Sequence, residues 1–72
     1  MTESEVNARY TVAFVNSLQA EDGGRYTVSK SDADRLESLH TGKPIAAVQG
    51  NLWVEVDSVA GGELIGEKLE VI

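Results

Sequence analysis

The sequence predicts a small α+β domain: one antiparallel sheet, in the order ββαβββ, with a single helix packed on one face. Three observations carry this expectation. Short β-branched and aromatic segments alternate apolar and polar residues. Glycine-bearing turn signals separate them at Glu21–Gly24, Gly50–Asn51 and Gly61–Gly62. Between the second and third of these segments lies one stretch with helical spacing and a helix stop.

Residues 1–8 are polar, and a frayed N-terminus is expected there, with one domain over residues 9–72. Arg9–Val15 follows, with Tyr10, Val12 and Phe14 alternating onto one face. Val6, Tyr10, Ala13, Phe14 and Leu18 also fit a helical stripe, with Thr2 and Glu5 as a capping box. An internal echo decides for a strand: Arg9-Tyr10-Thr11-Val12 recurs as Arg25-Tyr26-Thr27-Val28. With Glu21-Asp22-Gly23-Gly24 as the turn, the two copies are expected to pair as a hairpin.

A helix is expected over residues 32–41. Ser31 is the N-cap candidate, and Asp32 and Asp34 suit the positive end of the helix dipole. Ala33, Leu36, Leu39 and His40 share a face, and Gly42 and Pro44 end the element. Ile45–Gln49 and Leu52–Asp57 then read as strands around a Gly50-Asn51 turn of the type II′ kind. Leu52, Val54 and Val56 are expected to face inward. Ser58–Gly62 reads as a loop. The final stretch, Glu63–Ile72, reads as a strand bent at Gly66.

Composition narrows the function. Twelve carboxylates stand against six Lys and Arg, a formal net charge of −6. That field repels phosphate backbones and anionic lipid, so neither direct nucleic-acid binding nor membrane binding is expected. No apolar run is long enough to span a bilayer, and the N-terminus lacks the pattern of a signal peptide. With no Cys, the chain suits the cytoplasm and excludes disulfides. A 72-residue core supplies little net stability, which makes self-association a natural support.

No catalytic residues are expected, and neither cofactor nor metal. His40 is the one His, and no nucleophile motif accompanies any Ser. Glu55 with Asp57 fits solvent-facing strand positions, and Asp32 with Asp34 fits helix capping. Asp22-Gly23-Gly24 lacks the alternating ligands of a calcium loop. Thr41-Gly42-Lys43 stands at a helix end, not at the helix start a phosphate loop needs.

Trp53 is the most informative side chain. Alternation places it with Glu55 and Asp57, opposite Leu52, Val54 and Val56. An aromatic centre ringed by acid suits a basic protein surface, and Tyr10 or Tyr26 is placed to flank it. With the register inverted, Trp53 would be a core residue instead. The candidate interface is therefore Trp53, Glu55, Asp57 and Tyr26.

The stretch Leu36-x-x-Leu39-x-Thr41-Gly42-Lys43-x-Ile45-Ala46-x-Val48-Gln49, followed by Val54-Glu55, resembles the phage lambda head–tail joining protein W family. In that family a helix ends in a similar Thr-Gly-Lys and enters a β-hairpin. The resemblance implies a phage or prophage origin, with host cytoplasm or virion as location, and assembly into a ring. It assigns no functional residue.

Three functions follow as expectations. The leading one is a non-enzymatic interaction module with a basic protein partner. The second is a virion or assembly protein forming a symmetric oligomer through the same face. The third is an acidic inhibitor that mimics nucleic acid.

Overall fold

The computed structural model describes residues 1–39 and 42–72. The class is α+β: two helices and one six-stranded mixed sheet. Helix α1 spans Glu3–Arg9 and α2 spans Lys30–Ser38. The strands are β1 Thr11–Phe14, β2 Leu18–Ala20, β3 Arg25–Val28, β4 Ile45–Gln49, β5 Leu52–Ala60 and β6 Glu63–Lys68.

The N-terminus departs from expectation: it is a capped helix, not a frayed segment. Thr2 Oγ1 accepts from the Glu5 N–H at 3.2 Å, and the Thr2 N–H donates to Glu5 Oε1 at 3.1 Å. This reciprocal pair satisfies two amides that the first helical turn leaves free. Val6 is buried beneath the helix, and Tyr10 ends it by turning extended. The two readings of this segment thus apply in succession, helix to Arg9 and strand from Thr11.

Helix α2 starts earlier than expected. Ser29, not Ser31, has the extended backbone of an N-cap, and its Oγ accepts from the Asp32 N–H at 3.2 Å. The helix runs to Ser38. The expected continuation through His40 and Thr41 lies outside the described residues.

The topology also corrects the expectation. The sheet order is β1-β4-β5-β6-β3-β2, with helices on both faces instead of one. The two copies of the Arg-Tyr-Thr-Val echo do not pair. β3 takes the short strand β2 as its hairpin partner, and β1 runs parallel to β4. The reason is that Leu18–Ala20 lies closer to the turn, where the Glu21 N–H donates to the Arg25 carbonyl at 2.8 Å. The hairpin at Gly50-Asn51 forms as expected, with Gly50 at φ +57°. β5 continues through the predicted loop to Ala60 before turning at Gly61–Gly62.

This order forces the sheet to roll. β1 and β2 are its outermost strands, yet only Val15, Asn16 and Ser17 separate them in the chain. Five strand spacings in a flat sheet would hold the edges about 24 Å apart. The four residue steps from Phe14 to Leu18 reach at most about 14 Å. The sheet therefore curls until its edges approach. Its concave face gathers Ala13, Leu18, Tyr26, Val28, Ile45, Ala47, Val54 and Leu64 into one core, drawn from all six strands. Ala33 and Leu36 of α2 close that core.

Side chains hold the crossing in place. Asp32, only 2% exposed, accepts the Asn16 N–H at 3.0 Å and the Ser17 N–H at 3.1 Å on one oxygen. Ser29 Oγ donates to the same oxygen at 2.9 Å, and Arg35 lies 3.4 Å from the other. Arg35 also donates to the Phe14 carbonyl. From the opposite side, Gln49 donates to the Asn16 carbonyl at 2.7 Å and accepts the Leu18 N–H at 2.9 Å.

The bend is encoded in β5 and β6. A register shift between Val56 and Ser58 leaves Asp57 as an extra residue, which kinks the strand. Gly66 faces Val56 at that kink, where a Cβ would run into the Glu55 carbonyl oxygen and the Val54 side chain. Gly66→Ala should therefore lower stability by about 1–3 kcal/mol, read from urea unfolding. Unchanged stability would show that the bend tolerates a side chain.

Burial alone would raise the Asp32 pKa. The hydrogen bonds from Ser29, Asn16 and Ser17, with the charge of Arg35, outweigh it and hold the carboxyl below its ordinary value. A depressed folded pKa means that the contribution is present above the unfolded Asp value, and is lost as pH falls through the folded one. Asp32→Asn should cost about 2 kcal/mol near neutral pH. The gap to the native chain should narrow below about pH 4. A gap that stays constant down to strongly acidic pH would contradict this role.

Candidate protein-interaction surface

The concave face is filled by side chains, and no pocket opens among the described residues. One half of the convex face is covered. Val6 and Tyr10 of the α1 segment pack on Ala46, with Met1, Val12, Trp53, Leu69 and Val71 around them. The other half, along β6, β3 and β2, carries Ile65, Glu63, Arg25, Thr27 and Gln19, all exposed.

Trp53 sits at the boundary of the two halves. Leu52, Val54 and Val56 pack inward, so alternation turns Trp53 and Glu55 outward, as the sequence indicates. Trp53 is half-buried against the α1 cluster, and so is partly packed and partly available. Its carbonyl accepts the Leu69 N–H at 2.8 Å, which places Leu69 beside it just past the end of β6.

The next row toward the bulge is acidic. Glu55 and Glu67 are direct cross-strand partners on the outer face. Like charges in this position oppose strand pairing. Among the described residues the ion pairs are Arg9–Glu5 and Arg35–Asp32, and neither involves this row. The nearby basic residue on the face, Arg25, is register partner of Ile65 and donates from Nε to the Asp22 carbonyl at 3.3 Å. Glu55 also borders the buried end of Tyr10. Burial raises the Tyr10 pKa, and the negative charge of Glu55 and its side-chain hydrogen bond with Tyr10 raise it further.

Two of the other expected site residues separate from this row. Asp57 is exposed, but the bulge takes it out of the alternation that places Glu55 outward. Tyr26 is 7% exposed in the concave core, on the opposite side of the sheet from Trp53, because β3 turns Tyr26 and Val28 inward together. In its place, β6 supplies Glu67 and the 42% exposed Ile65, and the segment after it supplies Leu69. Nothing in the sequence set their register to β5, since the Asp57 bulge decides it. Phe14 is 69% exposed at the outer edge of β1 and is a second site that sequence alternation did not single out.

No three His, Cys, Asp or Glu side chains among the described residues converge as metal ligands. No helix among them is long and apolar enough to cross a membrane. Compared with protein-family models, curated proteins and solved structures, the chain matches none.

The packing separates half-buried Trp53 from exposed Phe14. Trp53→Ala should cost about 2–3 kcal/mol in urea unfolding, since half of the ring is packed. Phe14→Ser should stay within about 0.5 kcal/mol of the native chain. Equal losses at both positions would contradict the placement of Trp53 in the outer cluster.

Proposed function

We propose that the protein is a non-enzymatic interaction module, whose outer β5–β6 strip docks a basic surface of another protein. The observation that carries this reading is the row Glu55–Glu67, which has no ion pair among the described residues and lies next to a half-buried Trp53. Trp is enriched among residues that dominate binding energy. Uncompensated acid beside it favours a cationic partner and speeds encounter with one. The formal charge of −6 extends the same preference over the whole molecule. A chain without Cys suits a cytoplasmic site of action.

Site-directed photo-crosslinking tests the proposal. A photoreactive residue at position 65 should give a discrete adduct in cells, with a partner whose contact surface is basic. The same residue at position 19, on the polar side of the face, should not. Glu55→Gln with Glu67→Gln should remove the adduct. Equal labelling from both positions, or none from position 65, would contradict the module.

A further inference from the structure

Resting on that reading, we infer that the Trp53–Leu69 and Glu55–Glu67 rows together form a subsite for one arginine side chain of the partner. Four residues make a two-by-two array on the convex face. Glu55 faces Glu67 across the β5–β6 ladder. One row away, the Leu69 N–H donates to the Trp53 carbonyl and sets those two residues side by side. Directly opposed side chains in an antiparallel pair have Cβ atoms about 5 Å apart. Two carboxylates at that spacing can bracket a single planar cation.

The chemistry selects the guanidinium. It presents a fork of N–H donors that matches carboxylates on more than one edge. It carries its charge at every working pH and stacks on aromatic faces. Its three-carbon stem can lie on apolar surface, here Leu69, while the charged head stays among the acids. Trp is the best of the aromatic partners for a cation. A cation placed there would also remove the repulsion that the chain itself leaves standing between Glu55 and Glu67.

A second copy of this chain does not fit the array. Apposed strips would bring Glu55 and Glu67 of one copy against those of the other, in a molecule of charge −6. A metal ion fits no better, since no third His, Cys, Asp or Glu among the described residues joins the two carboxylates.

The probe is the peptide acetyl-Gly-Arg-Gly-amide, with its citrulline counterpart as the neutral isostere. Titration at low salt is followed by amide and indole N–H shifts. The arginine peptide should move the Trp53 indole and the amides of Glu55, Glu67 and Leu69. The citrulline peptide should bind at least tenfold more weakly. Glu55→Gln with Glu67→Gln should abolish the response without lowering the urea midpoint, which relief of the facing charges should raise.

Shifts of equal size from both peptides would overturn the arginine subsite while leaving the strip as a docking face. Shifts spread evenly over Glu21, Asp22 and Glu37 as well would overturn it too, as diffuse counter-ion binding. The photo-crosslinking from position 65 decides the module separately, so the two can fail independently.

Discussion

Everything in this molecule depends on the crossing from β1 to β2. Three residues carry the chain between strands that the ladder puts at opposite edges of the sheet. Such a connection is compatible only with a rolled sheet. Rolling leaves the backbone of Asn16 and Ser17 at the place where the edges meet, without a strand to pair with. These amides are partly buried, and without a partner they would lose the hydrogen bonds a strand would have given. Asp32 supplies those bonds from the first turn of α2, and Gln49 supplies two more from the end of β4. One carboxylate thus ties the helix that closes the core to the segment that closes the sheet.

The same geometry settles what each face carries. A sheet rolled around side chains from every strand has a filled interior and an outer, convex face. Helix α1 and the residues after β6 occupy half of it. They stop at Trp53, which they cover in part. The Asp57 bulge and Gly66, needed to bend β5 and β6, also bring Glu67 opposite Glu55. The bend that makes the fold and the acidic row that suggests a function are therefore products of one irregularity. The electrostatic cost of two facing carboxylates is tolerable on a solvated surface, and a bound cation would relieve it.

The legible parts of the sequence were those written in local chemistry. Class, the position of α2, the Gly50-Asn51 turn, the inward face of β5 and a bend at Gly66 each follow from a few adjacent residues. Trp53 and Glu55 were placed outward by alternation alone. What escaped were relations between distant segments. The capping box of Thr2 and Glu5 was visible, but the echo at Arg25–Val28 argued for a strand, and the two copies turned out to have different neighbours. The parallel pairing of β1 with β4, and the reach of Asp32 to Asn16 and Ser17 just after it, join distant segments that no local pattern announces. An Asp in a first helical turn reads as a dipole partner, and its second task shows only in three dimensions. Tyr26 was misplaced because the face of a strand depends on its partner, and β3 pairs with β2 and β6, not with β1.

The most direct test of the account is native-state hydrogen exchange at the Asn16 and Ser17 amides, in the native chain and in Asp32→Asn. If Asp32 holds the rolled sheet closed, both amides in the native chain exchange slowly, near the rate set by global unfolding. In the variant they exchange much faster, while Val54 and Leu64 in the core keep most of their protection. Fast exchange at Asn16 and Ser17 in the native chain would contradict the account, because the crossing would then be open without Asp32 having been touched.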